Sequence, residues 1–274
     1  MRLFFCCLLL LLSGLSQAQQ VIGIERKPVD RHLSWWSIQA DSFFQAEQNV
    51  EALRIGRGYR FDLTGISDTL LSTSVFAEAN QAVAAINGGF FDTRQGGSVT
   101  YMRDEGTTVA HTRQRLIDQD NEILEGMVAI NRKGRLHILS SGNLARISTR
   151  KRYPDILVTG PLLLLDGKAP PLVERAFNND RHPRSCLCKT RNGDILLIAV
   201  DGRHEQAVGM SLPELRELAR QLDCRDAINL DGGGSTTLFL RKRGILNHPS
   251  DNQVFDHAGE RPCANVILVV EKKD

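Results

Sequence analysis

The segment "DAINLDGGGSTTLFL" (Asp226–Leu240) joins two apolar runs through three consecutive glycines. Each run is typical of a buried strand, whereas consecutive glycines cost backbone entropy on folding. The glycines directly follow Asp231, and glycine allows sharp bends and a close approach of the backbone to a ligand. We therefore expect a functional Asp231, with the N–H groups of Gly232, Gly233 and Gly234 around an anion such as phosphate.

Two other predicted strands end in the same pattern, in which a polar residue and then glycine follow an apolar run. They end in "INGGFFD" (Ile86–Asp92) and "VDGR" (Val200–Arg203). Each places polar residues at the end of a rigid strand, where functional side chains are well positioned. The alternative for each motif, taken alone, is a plain turn. The candidate residues from these two segments are Asn87, Gly88, Gly89, Asp92, Asp201 and Arg203.

The composition is typical of a globular protein that binds no nucleic acid, and the first residues indicate export. The net charge is only +2, and no basic stripe is interleaved with aromatic residues. Residues 1–18 contain Arg2, an apolar run, and small residues at Ser16 and Ala18, as in a secretory signal peptide. An uncleaved anchor is the alternative, but the run is too short to span a bilayer comfortably. We expect a periplasmic or secreted chain with no stable membrane anchor after cleavage.

Cleavage after Ala18 would leave Cys186, Cys188, Cys224 and Cys263 in an oxidising environment, where disulfides form. Cys186 and Cys188 are two apart in a strand-like run. Their Cα atoms would lie about 6.6 Å apart with parallel side chains, which disfavours a bridge between them. We expect each to pair with Cys224 or Cys263. A zinc site and four unpaired thiols are the alternatives, although C-x-C is not a usual zinc spacing.

Short apolar runs separated by turn signals predict several strands and few helices. Met127–Leu139 and Ser185–Arg203 read as hairpins, which exclude a purely parallel sheet. The clearest helix is "SLPELRELARQL", in which Ser211 and Glu214 have capping-box spacing. These elements predict an α+β fold, with mixed and antiparallel sheets packed against a few helices, in a single domain over residues 19–274.

Seven segments, in order along the chain, resemble the motifs of the phosphodiester glycosidase family, which includes exported bacterial proteins related to exopolysaccharide biosynthesis. They cover about residues 82–270. Members often have a small residue where Cys224 and Cys263 stand, so these cysteines are not expected to be catalytic. The segments are "INGGFFD" (Ile86–Asp92), "TGPLLL" (Thr159–Leu164), "RHPRS" (Arg181–Ser185), "VDGR" (Val200–Arg203), "GMSLPELRELARQL" (Gly209–Leu222), "DAINLDGGGSTTLFL" (Asp226–Leu240) and "RPCAN" (Arg261–Asn265).

The resemblance implies hydrolysis of a sugar-1-phosphodiester, which releases free sugar and a phosphomonoester from envelope or exopolysaccharide-type glycans. Cleavage at the anomeric carbon builds positive charge on the sugar ring, so a carboxylate is needed there. The phosphate leaving group needs its negative charge bound, which suits arginine. The implied catalytic residues are Asp231, Asp201 and Arg184, and the implied substrate-binding residues are Asn87, Gly88, Gly89, Asp92, Arg203, Gly232, Gly233, Gly234, Ser235 and Asn265.

This chemistry requires no cofactor, and the expected ligand is a glycosyl phosphate or polysaccharide. One alternative is a metal-assisted phosphodiesterase that cuts the P–O bond, with a divalent ion held near Asp201 and Asp231. Another is a non-catalytic envelope module that grips an anionic glycan. The sequence alone leaves open which Asp is nucleophile or base, because the separation of the two carboxylates decides the stereochemical outcome.

Overall fold

Three antiparallel sheets organise the chain, and the few helices are short. The structure is a computed structural model that describes residues 22–272, so the expected signal peptide lies outside the described residues. The strands are β1 (Gly23–Pro28), β2 (Leu33–Gln39), β3 (Val50–Ile55), β4 (Tyr59–Gly65), β5 (Ala84–Asn87), β6 (Met102–Asp104), β7 (Thr107–Ala110), β8 (Gly126–Ile130), β9 (Leu136–Ser140), β10 (Asp155–Thr159), β11 (Leu162–Leu164), β12 (Arg184–Thr190), β13 (Ile195–Val200), β14 (Cys224–Asn229), β15 (Leu238–Leu240), β16 (Gly244–Ile245) and β17 (Asn265–Glu271). The helices are α1 (Asp41–Phe44), α2 (Thr73–Ala79), α3 (Gln114–Asp118), α4 (Leu144–Ser148), α5 (Ala176–Asn179) and α6 (Leu212–Gln221), with single 3₁₀ turns at Glu122–Leu124, Ser141–Asn143 and Gly233–Ser235.

The first sheet has the strand order β1-β2-β3-β13-β12-β14-β11, the second β7-β6-β10-β8-β9, and the third β16-β15-β5-β17-β4. Both predicted hairpins are present. In β8–β9, Met127 lies opposite Leu139. In β12–β13, Arg184 lies opposite Val200, so the start of one strand and the end of the other share an edge. The α+β prediction is confirmed.

One hydrophobic core lies between the sheets and unites them in a single domain. Leu197 of the first sheet, Leu157 of the second, and Ile86 and Ile267 of the third belong to the same buried cluster. A contiguous buried cluster that draws residues from all three sheets joins them in one unit, with smaller clusters around it. Within residues 22–272, no helix has both the length and the apolar character needed to cross a bilayer.

Helix α6 begins as its sequence predicts and covers the other face of the first sheet. The Glu214 N–H donates to the Ser211 hydroxyl at 3.3 Å, and the Glu214 carboxylate accepts from the Ser211 N–H at 2.9 Å. This reciprocal pair satisfies two N–H groups that the first turn would otherwise leave free. Leu215 and Leu218 on its inner face are fully buried against the sheet.

The cysteine prediction is half right. Cys188 and Cys224 form a disulfide with their Cα atoms 5.7 Å apart, as one of the expected pairings requires. The expectation of a bridge at Cys186 is wrong, because Cys186 and Cys263 are free and buried. Cys186 lies in the cluster between the first sheet and α6, whereas Cys263 lies in a separate cluster against α2 and the third sheet. The intervening sheets keep the two thiols apart.

We predict that replacing both Cys188 and Cys224 with Ala lowers the free energy of unfolding by about 2–4 kcal/mol, since the bridge closes a loop of 36 residues. Equilibrium urea unfolding with and without dithiothreitol measures this. Wild type and a Cys186→Ala control should lose stability in reductant, and the double variant should not respond. An equal response of the double variant and wild type would refute the structural role of this bridge.

Candidate active site

The first and third sheets meet where β5, β12, β13 and β14 begin or end. The Asp231 N–H, just after β14, donates to the Gly88 carbonyl oxygen at 3.0 Å, just after β5. The Leu230 N–H donates to the Ser185 carbonyl oxygen at 2.9 Å in β12. These bonds bring the strand-end segments that the sequence singles out to one edge of the molecule.

Asn87 is the side chain that joins these strand ends. It is fully buried, and its Nδ2 donates to the Asp231 carbonyl oxygen at 2.6 Å. Its Oδ1 accepts from the Ser185 hydroxyl at 2.6 Å and from the Thr237 N–H at 3.2 Å. Both lone pairs of that oxygen are therefore used within the protein. Asn87 fixes the position of Asp231 through the backbone.

Asn265 is also buried beside this junction, but half of its amide is unused. Its Oδ1 accepts from the Gly89 N–H at 2.7 Å, and a Cβ atom on Gly88 would lie 2.1 Å from the same oxygen. Its Nδ2 has no hydrogen-bond partner within residues 22–272. Because buried polar groups are nearly always satisfied, this donor indicates a place for a water or a ligand oxygen.

Asp92 stabilises the loop that follows Gly89. Its carboxylate accepts from the N–H groups of Gln95 and Arg94 at 3.0 and 2.8 Å, and it forms a 2.6 Å ion pair with Arg113. These three partners, with the Gln95 N–H first, hold the pKa of Asp92 well below its usual range. The structure thus places the carboxylate of Asp92 in contacts with its own loop and with Arg113, which follows β7.

The glycines after Asp231 allow a positive φ and close backbone packing that other residues would disfavour. Gly233 has φ +63°, which favours glycine, and its N–H donates to the Pro183 carbonyl oxygen at 2.9 Å. A Cβ atom on Gly232 would lie 2.6 Å from the same oxygen. The glycines therefore let the Asp231 loop pack against the chain that enters β12. The N–H of Gly233, expected to face a ligand, is bonded within the protein.

Two guanidinium groups flank this glycine loop. Nη2 of Arg203 would lie 2.9 Å from a Cβ atom on Gly233, and Nη2 of Arg261 would lie 2.7 Å from a Cβ atom on Gly234. Arg203 is exposed, and Arg261 pairs with Asp251 through a partly exposed contact. Both cations therefore reach the loop from its solvent side.

Asp231 itself is partly exposed between these cations. Burial raises the pKa of its carboxyl to about 6, although the Ser235 hydroxyl and the charges of Arg261 and Arg203 act in the opposite direction. A carboxyl with this pKa is largely ionised at neutral pH and is a stronger base than an ordinary aspartate. Ser235 lies buried beside it.

Arg184 faces backbone carbonyls. Its side chain is 2% exposed, and its Nε donates to the Met210 oxygen at 2.9 Å. Its Nη2 donates to the oxygens of Phe177 and Asp180 at 2.6 and 3.1 Å, and the guanidinium lies over the Phe177 ring. Burial lowers the pKa of Arg184 to about 10. These contacts tie α5 and the segment before α6 to the start of β12.

Asp201 is likewise enclosed, with 1% of its surface exposed. Its Oδ2 accepts from the Asn49 Nδ2 at 2.6 Å, and its Oδ1 accepts from the Asn247 Nδ2 at 2.9 Å. The His248 N–H donates to the carboxylate at 2.8 Å. The Asn247 Nδ2 also donates to the Thr236 oxygen, so Asp201 is linked to the loop that follows Asp231.

His248 is a residue that the sequence analysis missed. Its Nδ1 lies 3.0 Å from the Asp201 Oδ2, and 20% of its side chain is exposed. Its ring stacks on Phe255 at 3.9 Å and on His257 at 4.3 Å. A carboxylate at one ring nitrogen fixes the tautomer and orientation of a histidine. No motif marks His248, which follows Asp201 by 47 residues.

Comparison with known proteins gives the family. The family model described as phosphodiester glycosidase matches residues 80–270. The chain belongs to the phosphodiester glycosidase family. Arg261, the other missed residue, lies within this matched range, in the "RPCAN" segment that the sequence analysis singled out for its asparagine.

The relatives at the sequence level are longer proteins. N-acetylglucosamine-1-phosphodiester alpha-N-acetylglucosaminidase of Mus musculus is 30% identical over 156 residues, which cover 55% of this chain and 26% of that protein. The Homo sapiens protein of the same name is 29% identical with the same coverage. The matched part of this chain thus spans about a quarter of their length.

Solved structures share the fold. The catalytic domain of the zebrafish N-acetylglucosamine-1-phosphodiester alpha-N-acetylglucosaminidase has a TM-score of 0.66 at 20% identity and covers 92% of this chain and 82% of that one. A hypothetical protein from Synechocystis has a TM-score of 0.70 at 15% identity, with coverages of 91% and 64%. A putative exported protein from Burkholderia pseudomallei has a TM-score of 0.55 at 13% identity, with coverages of 81% and 74%.

We predict that Asp201→Asn lowers the free energy of unfolding by about 2–4 kcal/mol, because the new amide N–H₂ would face the N–H groups that now bond to the carboxylate. Urea unfolding followed by circular dichroism measures the change. Asp166→Asn is the matched control, since Asp166 forms an exposed pair with Arg225 and its loss should cost under about 1 kcal/mol. Equal losses in both variants would contradict the structural role of Asp201.

Proposed function

We propose that the chain hydrolyses a sugar-1-phosphodiester at the anomeric carbon and releases free sugar and a phosphomonoester. The observation that carries the proposal is Asp231, a partly buried carboxylate flanked by the guanidinium groups of Arg203 and Arg261. Membership of the phosphodiester glycosidase family supports the same reaction, as do the names of the mouse and human relatives.

Asp231 is assigned the role at the anomeric carbon. As the bond to phosphate breaks, positive charge develops on the sugar ring, and an ionised carboxylate stabilises it or attacks it. Burial keeps this carboxylate poorly solvated, which raises its pKa and increases its basicity. The backbone bonds from Asp231 to Gly88 and Asn87 restrict its movement during the reaction.

Arg203 and Arg261 are assigned to the phosphate. A departing phosphate monoester is a weak base, so it needs a partner for its negative charge more than it needs a proton. Guanidinium groups supply such partners through paired N–H donors. Arg184, whose Nε and Nη2 are bonded to backbone carbonyls, then acts as a positioning residue that ties α5 and the segment before α6 to the start of β12.

Asp201 is assigned a role through His248. The buried carboxylate orients the ring, and the partly exposed ring suits the acceptance of a proton from the attacking water. In the balanced step, the water oxygen bonds to the anomeric carbon, the C–O bond to phosphate breaks with its electron pair, and the proton passes to the base. The unused Nδ2 of Asn265 is assigned to a sugar or phosphate oxygen.

The proposed substrates are glycosyl phosphates of the envelope or exopolysaccharide type, and the proposed location is outside the cytoplasm. Support comes from the signal-peptide pattern of residues 1–18 and from the Cys188–Cys224 bridge, since disulfides persist in oxidising compartments. The name of the Burkholderia pseudomallei protein of like fold agrees with export.

We predict that Asp231→Asn reduces turnover of a glycosyl-1-phosphodiester by at least about 1,000-fold, because no carboxylate remains at the anomeric carbon. The assay screens UDP-sugars and simpler glycosyl phosphodiesters, and thermal unfolding confirms the fold. Asp166→Asn, a surface change, should keep wild-type turnover. Normal turnover by Asp231→Asn would remove this residue from the mechanism.

The bond that breaks can be identified by carrying out the wild-type reaction in ¹⁸O-water. Under the proposal, the label enters the sugar. Label in the phosphate, with activity lost to chelator and restored by Mg²⁺ or Mn²⁺, would instead favour the metal-assisted phosphodiesterase. Binding of an anionic glycan without any turnover would favour the non-catalytic module.

We predict that kcat/KM falls as the pH drops through about 6, since the reaction needs Asp231 ionised and its pKa in the free protein lies there. Arg203→Ala removes a charge that lowers this pKa, so the acidic limb should move to higher pH and KM should rise. The exposed Arg225→Ala is the matched control and should leave both unchanged. If the acidic limb of the pH profile does not move in Arg203→Ala, the charge of Arg203 does not act on the pKa of Asp231.

A further inference from the structure

A cavity of about 520 Å³ opens at the far end of the strands that form the candidate active site. Strand β13 runs from Ile195, which lines the cavity, to Val200, beside Asp201. Five residue steps separate the two, or about 17 Å along a strand. The cavity and the candidate active site therefore lie at opposite ends of the same sheet.

Five cationic side chains and no acidic one line this cavity, which we call the basic cavity. They come from four separate stretches of the chain and so converge only in the folded protein. No ion pair within residues 22–272 involves any of them. Like charges that converge on a concave surface give a positive potential that attracts anions. The five are Arg57, Lys133, Arg135, Lys189 and Lys272.

His137 on the cavity wall gives a second sign of this potential. Burial lowers the pKa of its ring, and the charges of Lys189, Arg152 and Arg135 lower it further. A histidine responds in this way where positive charges are not balanced by nearby carboxylates.

The remaining lining is apolar and belongs to the core. Ile55, Phe61, Leu136 and Ile195 are buried there, and Tyr59 is partly exposed. The volume falls within the range of sites for small organic molecules, which combine an apolar wall with a few polar groups. Inorganic ions alone would leave this apolar wall unused.

We infer that the basic cavity binds a compact organic anion with two or more negative charges, carried by phosphate or carboxylate groups. The apolar wall accommodates its carbon skeleton, and the five cations bind its charges. This site is separate from Asp231, and the inference does not depend on the proposed reaction. Sugar phosphates and short uronate oligosaccharides share the required chemistry.

Isothermal titration calorimetry of the full mature chain tests the inference, with fructose 1,6-bisphosphate and trigalacturonate as probes and maltotriose as the neutral comparison. We expect saturable binding of at least one anion, weaker at high salt, and no binding of maltotriose. The two affinities, compared with each other, show whether the basic cavity prefers phosphate or carboxylate groups. The double variant Lys133→Ala/Lys189→Ala should weaken its binding at least about tenfold, because two of the five cations are lost.

Two further variants keep the test specific. Lys151→Ala/Lys168→Ala removes two exposed lysines outside the cavity and should bind as wild type does. Arg203→Ala, which removes a cation assigned to the phosphate in the candidate active site, should also bind with unchanged affinity, which places the anion away from that site. The inference is overturned if neither anion binds saturably, if the two lysine pairs weaken binding equally, or if Arg203→Ala weakens binding as much as Lys133→Ala/Lys189→Ala does.

Discussion

The amide of Asn87 makes the contacts on which the rest of the candidate site depends. One side chain bonds to the backbone after β14, to a hydroxyl in β12, and to the strand that leaves the glycine loop. These partners belong to two different sheets, so the bonds fix the distance between the sheets at one edge. An aspartate, a leucine or an alanine at this position would lack the donor that reaches Asp231. The charged carboxylate is thus positioned by a buried neutral group.

Burial and charge act on Asp231 in opposite directions, and their balance defines the chemistry. Partial burial makes the ionised form costly, whereas Arg203 and Arg261 make it favourable. The result is a carboxylate that is ionised at neutral pH yet weakly solvated. The same two cations are placed to neutralise a phosphate when it binds or departs. Gly232 lets the loop pack against Pro183, and the absence of a side chain at Gly233 and Gly234 leaves room for Arg203 and Arg261.

Local patterns were sufficient for the parts of the fold that local forces decide. The capping box at Ser211 and the hairpin turn before Ile195 need only neighbouring residues, and both are present. The polar strand ends also converge as expected. The burial of Arg184 could not be read from the sequence, because it depends on α5 and on the segment before α6. The free state of Cys186 likewise depends on its position between the first sheet and α6, away from Cys263.

Residues brought together from distant segments were the hardest to foresee. His248 reaches Asp201 across 47 residues, and its stacking on Phe255 depends on a loop without regular secondary structure. The basic cavity draws its cations from four stretches spread along the described chain. Each cation, seen in the sequence, is an ordinary surface lysine or arginine. Only the fold shows that they line one cavity.

The central claim is that the joined sheet edges hold Asp231 against the anomeric carbon of a bound glycosyl phosphate. A crystal structure of the protein with a non-hydrolysable glycosyl phosphonate tests it most directly. The account predicts the anomeric carbon within about 3.5 Å of an Asp231 carboxylate oxygen, with the phosphonate bonded to Arg203 and Arg261. A ligand bound away from Asp231, or one whose phosphonate contacts neither arginine, would contradict it.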